Sequence, residues 1–483
     1  MAGCAVGPNY QRPAQHMPAS WTAPPTTQPS ITVQQPLRIE RWWTTFSDPE
    51  LDSLVKRAVE SNLTFELATE RLRQSRALLG VATAGFFPDI NASGSYRRSF
   101  SAGGGTFVVT GGGNTGTVTG GGTTARPHPH DLWQAGFDSA WELDIFGGVR
   151  RSIEAAQADF QAAVEDRRDV LVTLLGEVAT DYLLVRGFQQ EILIAHGNLE
   201  ADRHSLDVTR QKVQLGSGTQ LDVANAQAQV ASIRAQIAGF VSLQQQAVYS
   251  LSVLLGREPT DLQQELSATG PIPLTPPVVP VGLPSELLRR RPDIRRAERQ
   301  LAAETARIGV ATADLFPKFS LTGTLSLQGS RYEALSSWGT RSWSFGPSFT
   351  WPIFDAGRIW SNIEVQNALQ AQALTTYRQT VLTALQDVEN ALVAYSQEQQ
   401  RGSALADAVA ANQKALALAI QQYQGGQTDF LRVLDAERSL YGSQDALVLS
   451  TRDVATDLVA LYKSLGGGWE IGEPRPATQP AQK

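Results

Sequence analysis

The sequence predicts an α+β membrane protein that contains an internal duplication and in which several copies of the chain share one β-barrel. Three observations predict it: a nine-residue segment occurs twice, strictly alternating strands follow each copy, and very long helical patterns follow the strands. Four strands per chain are too few to close a barrel, and the long helices would extend roughly 100 Å.

The repeated segment marks the duplication. Residues 80–88 and 309–317 are identical at seven of nine positions, and the two copies end in Phe87-Pro88 and Phe316-Pro317. A residue before proline is disfavoured in the α region, so each copy is expected to end a helix and begin a strand. Each half of the chain is therefore predicted to pass from helix to strand and back.

Composition excludes several classes of function. The chain has 483 residues and a net charge of −6, which offers no electrostatic footprint for nucleic acid. No run of about 18 apolar residues occurs, so we expect no transmembrane helix. The five histidines are scattered, and no phosphate-binding lysine motif or metal-ligand spacing is present. We therefore predict no catalytic residues, no metal and no enzyme activity.

The one cysteine, Cys4, follows Met1-Ala2-Gly3, which looks like the end of a bacterial lipoprotein cleavage box. A lone thiol near the terminus is the alternative. We predict a covalent lipid on Cys4, and Ala5 after it implies sorting to the outer membrane. No other cofactor is expected.

Two pairs of segments alternate apolar and polar residues with the period of two that a β-strand requires. Trp133, Ala135 and Phe137, for example, share one face, with Gln134 and Asp138 on the other. Such alternation with aromatic residues near the ends is typical of transmembrane barrel strands. A soluble sandwich is the alternative, but the polar faces are mostly small hydroxyl residues, which suit a wet lumen. We predict two isolated hairpins, with strands at about 88–101 and 131–143, and at about 318–329 and 342–352.

Further copies must supply the missing strands, because open sheet edges are not tolerated in lipid. Two copies would give a barrel that its own side chains nearly fill, whereas three would leave an open lumen. A closed barrel has no free edge to accommodate proline, so we predict a bulge at Pro347.

Helical patterns without proline follow the strands at about 148–214 and 357–424. Each carries a heptad seam, which predicts a coiled-coil wall. Each ends in a glycine-containing turn, after which a shorter helix returns at about 219–255 and 428–465. The seam residues are Leu171, Leu175, Val178, Tyr182 and Val185 in the first helix, and Val381, Leu385, Val388, Leu392 and Tyr395 in the second.

The remaining segments are rich in residues that interrupt regular structure. We interpret Arg291-Pro292-Asp293 as a helix start. We interpret the arginines Arg289–Arg291, Arg295 and Arg296 as a solvated face. The tail is predicted to be disordered after Trp469. The predicted organisation is a lipid-anchored extended arm at 1–46, a first repeat at 47–256, a proline-rich connector at 257–284, a second repeat at 285–466 and a tail at 467–483.

The chain resembles the outer-membrane efflux proteins, the TolC-like family, and in particular its NodT-type lipoprotein subgroup. The resemblance covers roughly residues 4 to 469. It is carried by Gly3-Cys4-Ala5-Val6-Gly7-Pro8-Asn9-Tyr10, Trp42-Trp43, Trp141-Glu142-Leu143-Asp144-Ile145-Phe146-Gly147, Arg290-Arg291-Pro292-Asp293-Ile294, Phe316-Pro317 and Val433-Leu434-Asp435-Ala436.

This resemblance implies a homotrimer whose twelve-stranded β-barrel is continuous with a long α-helical coiled-coil barrel in the periplasm. It also implies a lipid-anchored outer-membrane location, a periplasmic adaptor and an inner-membrane pump. The implied function is the outer-membrane channel of a tripartite efflux system that passes small toxic compounds to the exterior. Alternatives are a conduit for type I protein secretion and a soluble periplasmic coiled-coil adaptor or scaffold.

The resemblance also implies a closed periplasmic gate at the two helical turns, at Asp222, Tyr423, Arg432 and Asp435. In a trimer each acid becomes a ring of three, which would favour cations. Asp222 also has the spacing of a capping box after Thr219 and could serve only as a cap. Arg432 stands where some members of the family carry an aspartate, so the bond pattern of the gate is left open.

Overall fold

The structure is a computed structural model that describes residues 5–22, 39–100, 129–276, 279 and 281–472. Within these ranges it contains one antiparallel sheet and eight α-helices. The strands are β1 (Asp89–Ser99), β2 (His130–Leu143), β3 (Lys318–Gly329) and β4 (Arg341–Thr350). The helices are α1 (Pro49–Ser61), α2 (Leu63–Ala84), α3 (Gly148–Gln214), α4 (Gln220–Leu254), α5 (Leu287–Arg290), α6 (Pro292–Ala313), α7 (Arg358–Gln424) and α8 (Phe430–Ser464).

The duplication is visible in the lengths of the helices. Helices α2 and α6 have 22 residues each, α3 and α7 have 67 each, and α4 and α8 have 35 each. The two halves therefore repeat one helix–strand–helix unit, with these three pairs of helices equal in length.

The sheet has the order β1-β2-β3-β4, and its register separates apolar from polar residues. Directly paired residues point to the same side of a sheet, so one row across the four strands shows what each face contains. A row of the apolar face contains Ala92, Phe137, Leu325 and Trp343. The next row, on the polar face, contains Asn91, Asp138, Thr324 and Ser344.

Two predictions about the sheet are wrong. The hairpins are not isolated, because β2 pairs with β3 from Leu143↔Phe319 onward and joins them into one sheet. There is no bulge at Pro347, which pairs with Leu321 in an uninterrupted ladder. Strand β4 is an edge strand within the chain, and a ladder uses the N–H groups of alternate residues on each side. One side of an edge strand therefore accommodates a proline without an extra residue.

The junctions between strands and helices are built in the same way in both halves. The indole of Trp141 donates to the carbonyl oxygen of Phe86 (3.0 Å), and the indole of Trp351 donates to that of Leu315 (3.0 Å). Each bond ties the end of a strand to the turn before Phe-Pro. Asp144 and Asp355 then accept backbone N–H groups at the starts of α3 and α7.

The chain forms two compact units, which do not follow the predicted repeats. Each unit takes segments from both halves of the duplication. The first unit contains Met1–Tyr10, Ala77–Gln157 and Ala302–Gln370, and the second contains Gln11–Arg76, Ala158–Leu301 and Ala371–Lys483.

The core of the second unit is formed around the heptad seams. The five seam residues of α3 are at most 1% exposed, and those of α7 are buried except for the half-buried Leu385. The flanking segments contribute more to this core than their composition indicated. From the predicted arm Trp42 stacks on Tyr462, and from the predicted connector Leu262 is buried. Ile471 also packs here, so the order predicted to end at Trp469 extends to Gly472.

None of the helices in the described part of the chain is both long and apolar enough to cross a membrane.

Replacing Gly256 with alanine should destabilise the fold. Gly256 has a φ of 66°, and a Cβ there would lie 2.2 Å from the carbonyl oxygen of Ser61. We expect Gly256→Ala to lower the free energy of unfolding by about 2 kcal/mol or more. The matched control is Gly239→Ala within α4, where nothing lies within 4 Å of the new Cβ. It should raise stability by about 0.5–1 kcal/mol. Denaturation of the two variants in detergent measures the difference, and equal midpoints would contradict the prediction.

Candidate functional site

The turn between α3 and α4 is closed by a capping box. The Thr219 hydroxyl accepts the backbone N–H of Asp222 (3.2 Å). The Asp222 carboxylate accepts the N–H (3.1 Å) and the hydroxyl (2.7 Å) of Thr219. These bonds satisfy N–H groups that the first turn of a helix leaves unpaired. Asp222 therefore acts as a helix cap, and its part in a gate stays a prediction.

The turn between α7 and α8 is capped differently. Asp429 is itself the N-cap of α8, and its carboxylate accepts the backbone N–H of Arg432 (3.3 Å). Asp429 rather than the neighbouring Thr428 caps α8, because its carboxylate reaches the N–H groups of the first turn. The side chains of Arg432 and Asp435 are exposed, three residues apart on α8.

Tyr423 lies in the last turn of α7 and is 8% exposed. Its ring packs against that of Phe430, with the centroids 5.4 Å apart. The ammonium group of Lys212, in the last turn of α3, lies 3.8 Å from the Tyr423 ring centroid and donates to the Tyr423 carbonyl oxygen. The cation binds both the π face and the carbonyl end of a helix dipole. Lys212 thus connects the last turns of the two long helices.

Sequence reasoning missed Lys212. Its one available signal is its place in the last turn of a helix, where a cation complements the dipole. That position is common for lysine and does not indicate that the side chain reaches the end of α7. The contact depends on the packing of α3 against α7.

The predicted gate residues divide into two groups. Burial raises the pKa of the Tyr423 hydroxyl, and the charge of Asp222 raises it further, whereas the hydroxyl of Thr209 opposes the shift. Asp222 and Tyr423 are therefore close enough to interact. Arg432 and Asp435 lie on the exposed side of α8, and neither forms an ion pair within the described part of the chain.

Behind the two turns, the α3–α4 hairpin packs against the α7–α8 hairpin through an apolar cluster that also contains buried polar groups. Asp202 of α3 accepts a hydrogen bond from the hydroxyl of Tyr441 of α8 (2.6 Å), and Glu437 is buried beside them. Burial raises the pKa of both acids, that of Glu437 to about 8 with a contribution from the charge of Asp202. The apolar members of the cluster are Ala195, Leu199, Leu206, Ala226, Val230, Ile233, Tyr423, Phe430, Val433, Leu434, Leu440 and Tyr441.

The sequence indicated that the arginines near the start of α6 form a solvated face. This prediction is wrong for Arg291, Arg295 and Arg296, which pair with acids. Arg291 is largely buried and pairs with Asp293 (2.8 Å) and Asp387 (3.1 Å). Arg295 and Arg296 pair with acids of α3. The reason is the row of acids that α3 and α7 present to α6, which the linear sequence does not show. The predicted helix start at Pro292 is confirmed.

Cys4 lies outside the described residues, but the segment that follows it is held firmly within the first unit. The N–H of Val6 donates to the carbonyl oxygen of Phe146 (3.0 Å). The guanidinium of Arg151 donates to the carbonyl oxygen of Val6 (3.1 Å) and to the side chain of Asn9 (2.7 Å). Val6 and Asn9 are therefore fixed beside the junction between β2 and α3.

Residues 54–257 and 283–467 match the family described as outer membrane efflux protein. The chain belongs to this family. A solvent efflux pump outer membrane protein, SrpC of Pseudomonas putida, is 33% identical, with 98% of this chain and 97% of SrpC covered. Nodulation protein T of Rhizobium leguminosarum bv. trifolii is 30% identical, with 97% of this chain and 95% of the nodulation protein covered. A solved structure of the outer-membrane channel OprN has a TM-score of 0.86 at 35% identity, covering 97% of this chain and all of OprN.

Membership of the outer membrane efflux protein family confirms three predictions. The resemblance to TolC-like channels and to the NodT type is confirmed by the family match and by the relatives. The α+β fold class is confirmed by the structural neighbours. The function is confirmed as that of an outer-membrane efflux channel, and its family and relatives are transport proteins rather than enzymes.

Replacing Lys212 should loosen the turn between α7 and α8. Lys212→Met removes the hydrogen bond to Tyr423 and the cation over its ring, which together contribute about 1–2 kcal/mol. We expect amides of residues 421–430 to exchange hydrogen about 5–30 times faster, as measured by mass spectrometry. The control is Lys414→Met, because Lys414 is exposed on α7 and has no partner among the described residues. Equal protection in the two variants would show that Lys212 does not hold the turn.

Proposed function

We propose that three copies of this chain form the outer-membrane channel of a tripartite efflux system, which carries small toxic compounds from an inner-membrane pump and a periplasmic adaptor to the exterior. The observation that carries the proposal is the apolar face of the sheet, which the chain leaves uncovered. Phe137 is 58% exposed and Trp343 is 71% exposed on this face. Aromatic side chains so exposed on a sheet face suit contact with hydrocarbon.

The number of copies follows from the edges and from the polar face. Within the described strands, β1 and β4 are the edges of the sheet, and open edges are not tolerated in lipid. On the polar face, hydroxyl groups bond to one another across strands, as in Thr324 with Ser344 (2.8 Å). A hydroxylic face suits a water-filled lumen, and twelve strands from three chains would leave one open.

The relatives suggest the class of substrate. SrpC is named for solvent efflux, and TtgI of Pseudomonas putida, 33% identical over 98% of this chain, is named for toluene efflux. We propose small apolar toxic compounds as the substrates of the present system. A pump and an adaptor would deliver them to the periplasmic end of the channel.

We propose a covalent lipid on Cys4 as a second attachment to the membrane. The support is the tethering of Val6 and Asn9 by Arg151, which holds the residues after Cys4 close to the end of β2. A lipid on Cys4 would be joined to the barrel strands through this tethered segment.

Deletion of the gene tests the function. We expect the deletion strain to become hypersensitive to apolar solvents and dyes, with minimal inhibitory concentrations about fourfold or more lower, and the wild-type gene to restore resistance. Complementation with Cys4→Ala tests the anchor, because this chain should no longer incorporate labelled palmitate. Unchanged sensitivity across a panel of solvents, drugs and dyes, combined with loss of a secreted protein, would favour the secretion alternative.

For the gate, we propose that Tyr423, Asp222, Arg432 and Asp435 of three chains meet at the periplasmic constriction. The exposed positions of Arg432 and Asp435 leave both side chains available to neighbouring copies. A trimer would bring three of each into rings one helical turn apart on α8. Separation of the α7–α8 hairpin from the α3–α4 hairpin would widen the opening.

Asp435→Ala should alter conduction through this constriction. Losing a ring of three carboxylates should raise single-channel conductance in a planar bilayer. It should also raise the concentration of a multivalent cation needed for half-block by about tenfold, equivalent to about 1.4 kcal/mol. Glu258→Ala is the matched control, since Glu258 is exposed beyond the opposite end of α4. Identical block in Asp435→Ala and Glu258→Ala would mean that Asp435 does not line the constriction.

A further inference from the structure

Two carboxylic acids are buried together where α3 packs against α8. Asp202 is 2% exposed and Glu437 is 3% exposed. The apolar cluster around them includes Leu206 and Leu434. Burying two carboxylates in apolar surroundings is costly unless a cation or a proton neutralises one of them.

Among the described residues, no cation is found acting on the pair. The groups that act on Glu437 are the carboxylate of Asp202 and the hydroxyl of Ser205. Those that act on Asp202 are the hydroxyl of Tyr441 and the amide of Gln229 on α4. Helix α7 contributes Tyr423 and apolar side chains to the cluster. The nearest basic residues along α3 and α8, Arg203, His204 and Arg438, point to solvent in the described chain.

The hydrogen bonds indicate which acid holds a proton. The Tyr441 hydroxyl donates to Asp202 Oδ1 at 2.6 Å, and such a bond favours the ionised carboxylate. Glu437 receives no tyrosine hydroxyl, and it lies beside the charge of Asp202. Burial and that charge raise the pKa of Glu437 to about 8. At neutral pH the pair therefore consists of an ionised Asp202 and a protonated Glu437.

We propose that the packing of α3 against α8 binds one proton on this pair, and that separation of the α7–α8 hairpin from the α3–α4 hairpin releases it, so that the gate opens more readily as the pH rises. The proposal rests on the proposed channel function. Asp202 and Tyr441 belong to different hairpins, so separation breaks their bond and hydrates both acids.

The direction of this pH dependence follows from the linkage between proton binding and helix packing. The closed packing binds the proton with a pKa of about 8, whereas a hydrated glutamate has an ordinary pKa of about 4.5. The proton therefore stabilises the closed packing fully below about pH 4.5, and this stabilisation is lost as the pH rises towards 8. In that window, opening of each chain should become about tenfold more favourable for each pH unit.

The experiment uses the full-length channel in planar bilayers. We expect the opening frequency of the wild type to rise at least about tenfold between pH 6 and pH 8. Glu437→Gln mimics the protonated acid, so this variant should open rarely and with little dependence on pH. The control is Asp207→Asn, because Asp207 is an acid of α3 with 65% of its side chain exposed, and it should keep the wild-type profile. A flat wild-type profile, or the same slope in Glu437→Gln, would overturn the proposal.

A second measurement needs only the wild-type chain and no channel activity. Infrared spectra at pH 7 should contain the carbonyl band of a protonated carboxyl group that titrates near pH 8. Labelling glutamate with ¹³C should shift this band, whereas labelling aspartate should not. Absence of the band overturns the proton site even if the channel conducts. A band in a protein that forms no channel would instead contradict the proposed function.

Discussion

Backbone hydrogen bonding in the sheet is the constraint on which the rest of the structure depends. The described part of each chain supplies four strands, with β1 and β4 at the edges of the sheet. A hydrocarbon environment offers no water to satisfy the N–H and C=O groups of those edges, so other copies of the chain must do so. Symmetry then applies to every other element, because each helix and each charge at the turns recurs once per copy.

The duplication solves the same structural problem twice. A strand that ends at a membrane surface and continues into a very long helix needs a rigid junction. In both halves this junction consists of a tryptophan indole bonded to the carbonyl of the preceding turn and an aspartate that caps the helix. Because these bonds are local, each half forms its junction independently. The helices that follow the two junctions, α3 and α7, have 67 residues each.

The charges at the turns and behind them have different physical roles. Asp222 and Asp429 cap helices, which keeps the turns compact without further partners. Lys212 joins the two turns through the carbonyl and the ring of Tyr423. Arg432 and Asp435 are exposed, and neither forms an ion pair within the described residues. Asp202 and Glu437 are buried, so the energy of their ionisation depends on whether the helices stay packed.

The sequence by itself determined the duplication, the two long helices, the faces of all four strands and the positions of the turns. These features depend on local periodicity and on residues such as proline that act within a few positions of the chain. It also indicated the cap at Asp222, because a capping box spans four consecutive residues.

Only the tertiary structure decided which distant residues meet. The pairing of β2 with β3, the acids that neutralise Arg291 and Arg296, and the contact of Lys212 with Tyr423 all join segments far apart in the chain. Whether a charged side chain is solvated, paired with an opposite charge or buried with a proton depends on those contacts. Because the relevant electrostatic energies depend on burial and distance, a linear pattern of residue types does not contain them.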